Sequence, residues 1–467
     1  RQTIPCLADT TSPLMAADGM WHQKQIKQVM KRILITIVGF ICCILNAVSA
    51  EKLVSHFQDT SAQCALQKNL VADYGAKPDS HEDQSAIWQN AIEELSASGG
   101  GRLIVPKGNY HIAEIRMCSN VHLMIEAGTV LTLSSLKKKN RNTAMFYFSG
   151  STDDSAIENC SIRGDGGRYY VDYSFLDSGN ASPVRFALLR RVRNFLIADA
   201  FIKDNFTKFC GISLTPMKSK NGNRLDTSEE LPSRPTCGEI RNCYIDNAHS
   251  GYGLCQLHGA RDVFYHDISA KGGVTLRLES GAGGLYEGVY DIRAVNVRNS
   301  NGRAAVLMQP HCSFNGKVAI DSVYSNSSSF AVLIHAGFID RNHKDDHDAR
   351  PGVYASDSYI NHVHAVYGDK AQVDCKEVYL ADERNYGKYK PNEFAPHESM
   401  TGPSLAAVYD TTDGSYRVSV NDVTSEGFSP TRSSILYLNE VREKKDRRWK
   451  IYKSLPYVKA TSGKQIK

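Results

Sequence analysis

At 467 residues, with 42% apolar and 22% charged residues, the chain can bury a large core, which excludes an intrinsically disordered protein. Its formal charge of +5 comes largely from the N-terminus: residues 1–50 carry five Lys/Arg and two Asp/Glu, leaving 50 and 48 for the rest. So balanced a body has no global field for nucleic acid, and any affinity for a polyanion must come from a local groove.

The first element in chain order is a targeting segment. Met30-Lys31-Arg32 precedes an uncharged apolar run over 33–45, and Val48-Ser49-Ala50 precedes Glu51. A basic start, an apolar centre and a small-residue cleavage site are the order of a secretory signal. The run is short for a membrane span. Residues 1–29 therefore read as an upstream extension and 30–50 as a signal peptide. An exported protein with no membrane anchor, beginning at Glu51, is expected. Nine of the twelve cysteines lie beyond this point, with no CxxC or Cys/His metal spacing among them. They are expected to pack as small inward-facing side chains, with Cys237 and Cys243 the one close pair placed to bridge.

Residues 71–112 form the next unit. Val71 to Ala76 reads as a strand entering a turn. Asp83 can cap a helix over about 83–97 whose apolar positions Ile87, Ala91, Ile92 and Leu95 share one face. Gly99-Gly100-Gly101 stops it, Leu103-Ile104-Val105-Pro106 starts a strand, and Gly108-Asn109-Tyr110 turns back. An amphipathic helix here would cover the open end of a solenoid.

Short strands then alternate with Asn/Asp/Gly/Ser turns. Ile245, Ile268, Val297 and Val323 recur in similar local settings at spacings of 23, 29 and 26 residues, which is one solenoid coil with loop insertions. The coils continue through 363–366 and 418–420, with protruding loops around 211–236 and 339–357. The fold class expected is all-β: a right-handed parallel β-helix with an N-terminal capping helix, over 51–440. Residues 338–402 are the irregular or inserted region. The segment 441–467 is basic, and its 442–453 stretch reads as a solvated strand edge or as a secondary contact with anionic glycan.

The motifs that carry chemistry lie in 245–279, IDNAHSGYGLCQLHGARDVFYHDISAKGGVTLRLE. The elements GYGL-Q, GA-D, GG-LR-E, AAV followed by PH and NG, and GPSLAAVYDTT resemble the iota-carrageenase family of glycoside hydrolases. The resemblance runs from Asp73 to about Val423 and is densest over 242–338 and 402–412. It implies a secreted β-helix enzyme that cleaves the β-1,4 bonds of a sulfated red-algal galactan with inversion. It also implies Glu279 as general acid, Gln256 lining the site beside a bound chloride, and His311 as a further active-site residue. Gly251, Arg303 and His335 join the substrate-contacting set. Structural calcium is associated with the family, and no cofactor is required. The partner is the sulfated polysaccharide, and a monomer is expected.

The residues themselves agree in part. In Leu276-Arg277-Leu278-Glu279 the alternation sends the leucines to one face and Arg277 and Glu279 to the other. Gln256 is one coil before Glu279 and should stack on the adjacent rung. Arg277 suits a bidentate sulfate contact, and Tyr252, between two glycines, suits stacking on a sugar ring. The family's usual E-x-D pair is broken, because Gly281 stands where the second carboxylate is expected. Inverting chemistry needs a base, so Asp340 is the first candidate, His311 the second and His335 a third. Two alternatives stay open: another β-helix enzyme (a polygalacturonase-type hydrolase or a uronate lyase), or a non-catalytic solenoid that binds anionic glycan.

Overall fold

The computed structural model describes residues 53–134, 143–150, 155–176, 183–217, 233–281, 288–395 and 398–458. The expected signal peptide and upstream extension lie outside these residues.

Strands stack in parallel register into three long ladders, coil upon coil. The first runs through Gly101–Val105, Val121–Glu126, Ile157–Asp165, Val192–Ala198 and Thr236–Arg241 into the opening of Ala260–Leu278. The second runs through Asn109–Ile112, Val130–Leu133, Tyr169–Asp172 and Ala200–Lys203 into the opening of Tyr244–Leu257. The third runs through Ala144–Ser149, Arg185–Arg190, Ile212–Leu214, the end of Tyr244–Leu257, the end of Ala260–Leu278, Ala304–Met308, Phe330–Ile334 and Val408–Asp410. This is the expected parallel β-helix. Antiparallel pairing among the described strands is confined to Ala371–Asp374, Lys390–Pro391 and Ser399–Gly402, inside the segment expected to be irregular.

Asn and Asp turn the corners because they tolerate left-handed backbone. Asn120, Asn159 and Asn194 have φ of 62°, 54° and 54° and sit one above another. Their amides form a ladder, Asn159 Nδ2 to Asn120 Oδ1 at 3.0 Å and Asn194 Nδ2 to Asn159 Oδ1 at 2.8 Å. Of the four recurring apolar positions, Ile268, Val297 and Val323 do stack. Ile245 does not join them. It pairs with Ala270, two residues along, in the same register in which Glu239 pairs with Phe264 and Tyr244 with Ser269.

The capping helix spans Ser85–Ala97 and buries Trp88, Ala91, Ile92 and Leu95. Trp88 takes the fully buried place expected of Ile87, which packs at the edge. Asp83 Oδ1 accepts from the Ser85 amide at 2.9 Å, one residue before the helix's own cap position at Gln84. All nine described cysteines are free, Cys237 and Cys243 included; the Cys237 thiol donates to Asp262. The basic C-terminal stretch corrects the strand-edge expectation. It forms two helices, Leu438–Asp446 and Arg448–Ser454, with Leu438 and Leu455 buried against a second apolar cluster that includes Leu307, Leu333 and Tyr409.

Burial also sets an acid limit on the fold. His122 is fully buried, with Ser161 Oγ at 2.9 Å and Thr60 Oγ1 at 3.2 Å. Desolvation pushes its pKa down to about 4. The unfolded histidine takes up a proton near pH 6.5 and the folded one does not until near 4, so stability falls as pH drops through that window. The loss is about 2–3 kcal/mol. Urea midpoints measured from pH 7 to 4.5 should fall less steeply for His122→Gln than for the parent. An identical slope would exclude His122 as a source.

Candidate active site

Outward-facing side chains of the third ladder change character along the solenoid. Ser213, Gln256, Arg277, Leu307, Leu333 and Tyr409 share one register column. The polar members stand on the upper coils. The apolar ones lie beneath the 371–405 segment and the C-terminal helices, which bury them. The polar stretch at Gln256 and Arg277 lies outside that apolar cluster. Beside it, backbone bonds set a second column of Thr215, His258, Glu279, Gln309 and His335.

Glu279 sits at the centre and is 8% exposed. Its Oε1 is 2.8 Å from Arg277 Nη2 and 3.4 Å from His311 Nε2, and its Oε2 accepts from Gln256 Nε2 at 2.5 Å. Gln256 pairs in register with Arg277 and reaches Glu279 diagonally, where stacking directly against Glu279 was expected. His258 Nδ1 is 3.1 Å from the Glu279 carbonyl. Burial alone would raise the Glu279 pKa, but the Arg277 charge with His311 and His258 outweighs it and holds the carboxyl well below the usual range. Glu279 is thus a carboxylate in the free protein at neutral pH.

His311 stands between two carboxylates, with Nδ1 3.4 Å from Asp340 Oδ2 and Nε2 facing Glu279. Asp340 lies behind the ring. Its Oδ1 accepts from the Asn342 amide and faces His343 Nδ1, each at 2.9 Å. Gly281 lies in a turn just past the strand at φ +76°, in the left-handed region. Tyr252 is partly buried, edge-on to Phe209 at 6.3 Å, with the Arg277 guanidinium 5.9 Å from its ring centre. Gly251 bonds to His249 Nδ1 at the same bend.

Two expected substrate contacts have other commitments. Arg303 is bound to Glu377 at 2.6 Å and is 3.5 Å from Asp374, so its charge is already matched. His335 lies beyond Gln309 on the outer column, and burial with the Arg303 charge pushes its pKa down to about 3. Three residues not singled out from the sequence also belong here. His258 carries the outer column. Phe338 packs on His311 with ring centres 4.4 Å apart and is 39% exposed. Arg185 donates to Ser213 Oγ at 3.0 Å and lies 3.6 Å from the Phe209 ring centre, and burial lowers its pKa to about 10. Its signal was a charge inside an otherwise apolar strand.

Arg277 Nε and His311 Nε2 are buried without a hydrogen-bonding protein partner. Gln256 Nε2, by contrast, is committed to Glu279. Calcium is poorly matched. The one converging group of three His/Cys/Asp/Glu side chains among the described residues contains a thiol and an imidazole, unlike calcium's all-oxygen preference.

No family model matches the chain. An iota-carrageenase of Zobellia galactanivorans is 37% identical over 309 residues, which cover 65% of this chain and 58% of that protein. The chain thus spans less than three-fifths of the length of that relative. Two solved structures align over 84% of this chain and 95% of their own. One is a 1,3-alpha-1,4-beta-D-galactose-4-sulfate-3,6-anhydro-D-galactose-2-sulfate 4 galactohydrolase, with a TM-score of 0.74 at 26% identity. The other is an iota-carrageenase complexed to iota-carrageenan fragments, with a TM-score of 0.73 at 25% identity. In sequence and in fold, this chain is thus similar to iota-carrageenases.

Proposed function

We propose that this protein is an exported glycoside hydrolase that cleaves the β-1,4 bonds of iota-carrageenan with inversion. The observation that carries the reading is the buried Arg277–Glu279 pair, framed by Gln256 and His311, on the polar stretch of the third ladder's outer face.

The pair supplies a way to arm the acid. Glu279 must hold a proton to protonate a leaving oxygen, yet Arg277 keeps it ionised in the free protein. A sulfate on the substrate competes for the guanidinium through bidentate contacts. Drawing Arg277 away, and adding the sulfate's own charge, raises the proton affinity of Glu279 as substrate arrives. An anion held by Arg277 and His311 acts in the same direction. His311, its ring oriented by Asp340, is the group assigned to take the proton from the attacking water, once substrate parts its Nε2 from Glu279 Oε1, 3.4 Å away in the free protein. Asp340 is then a positioning residue rather than the direct base expected from the sequence. Phe338 and Tyr252 offer apolar faces for sugar rings.

A substrate panel tests the reading. Purified protein should release reducing ends from iota-carrageenan, fewer from less sulfated galactans, and no unsaturated sugar. Unsaturated product would make it a lyase. Gly281, which offers no carboxylate, favours a second reading, a solenoid that binds the glycan without cutting it; saturable binding with no new reducing ends would establish that instead. Export is tested separately. Secreted material should begin at Glu51, and intact 1–50 on cytoplasmic protein would contradict it.

A further inference from the structure

Behind His311, three side chains from two loops converge on one point. Cys312 Sγ is 3.1 Å from His343 Nδ1, and Asp340 Oδ1 is 2.9 Å from the same nitrogen. All three ligand atoms lie within 4.8 Å of one another. Cys312 and His343 are 3% and 4% exposed. We propose that Cys312, Asp340 and His343 bind a zinc-type divalent cation that clamps the loop after Phe330–Ile334 to the loop after Ala304–Met308.

A nucleophile reading fails on geometry. A thiol activated by histidine uses one ring nitrogen and leaves the other for the orienting carboxylate. Here thiol and carboxylate crowd the same nitrogen. One imidazole nitrogen carries at most one proton, which cannot serve both neighbours in full. A cation at the centre engages all three atoms at once. Ligand atoms around tetrahedral zinc stand about 3.3–3.8 Å apart, so the two pairs that meet at His343 Nδ1 need to open by only a few tenths of an ångström. The donor set selects the ion: thiolate, imidazole and carboxylate together suit zinc and its neighbours, and suit calcium or magnesium poorly. Burial and the Asp340 charge keep the thiol protonated in the absence of a cation, so binding must displace a proton.

The position matters to the groove. Asp340 Oδ2 faces His311, and Phe338, three residues before His343's own turn begins at Arg341, covers the same ring. A cation fixed on Oδ1 would lock the ring's two supports together. The site does not depend on the protein being a hydrolase.

The test uses tag-free full-length protein stripped with a chelator. Titration with Zn²⁺ should show one saturable equivalent per chain and a rise in thermal midpoint. Co²⁺ should give a sulfur-to-metal charge-transfer band in the near ultraviolet. Cys312→Ser should abolish that band, and Cys312→Ser or His343→Gln should weaken Zn²⁺ binding by at least about tenfold. Should Cys312→Ser fail to fold, the parent's cobalt spectrum and His343→Gln still decide. No saturable binding, cobalt binding without a thiolate band, or undiminished binding in either variant would each overturn the proposal.

Discussion

Glu279→Gln is expected to lower kcat on iota-carrageenan by about a hundred- to ten-thousand-fold, the usual contribution of a positioned general acid. The amide keeps the length and planarity of the side chain, so the groove keeps its shape. It cannot give up a proton to a leaving oxygen. The variant should still bind the polysaccharide, because Arg277 is no longer tied to a carboxylate and becomes freer for sulfate. The thermal midpoint should fall modestly, since removing one partner of a buried pair leaves the other charge uncompensated. The decisive comparison is kcat against binding in one preparation. A variant that turned over near the parent rate would move the catalytic centre elsewhere on the solenoid.

Arg277→Met is expected to act mainly on substrate affinity. Losing a bidentate charge-assisted contact costs about 1.5–3 kcal/mol, or roughly ten- to a hundred-fold in KM. Part of that contact is electrostatic, so the parent's advantage should shrink as salt rises. A second signature separates this role from a merely structural one. Arg277 is the main attraction that lowers the Glu279 pKa, so its removal should move the Glu279 titration to higher pH. Infrared difference spectra of the carboxylate band would follow it. A variant with unchanged KM at low salt, or with the carboxyl titrating where it did before, would remove Arg277 from the mechanism.

The fold and the centre of the site were legible because both rest on short-range pattern. Alternation at Leu276-Arg277-Leu278-Glu279 put the charges outward, and the structure buries both leucines fully. The glycine stop and the apolar face of the capping helix were equally local. What escaped reading depends on how coils stack. Ile245 was misplaced by two residues because the register set upstream, where Glu239 pairs with Phe264, carries it onto Ala270, and a recurring apolar residue does not reveal that register. The partners of Asp340 were equally hidden: its Oδ1 accepts from the Asn342 amide and faces His343 Nδ1. The C-terminal helices were hidden by their charge, since Leu438, Val441, Ile451, Tyr452 and Leu455, which pack on the second apolar cluster, are scattered among Lys and Arg.

The most direct test of the account is to cleave iota-carrageenan in water enriched in oxygen-18 and analyse the earliest products. Hydrolysis by a water activated opposite Glu279 predicts one labelled oxygen at each new anomeric carbon, with the α-anomer appearing first by proton NMR. Unlabelled, unsaturated ends, the β-anomer first, or no cleavage at all would contradict it.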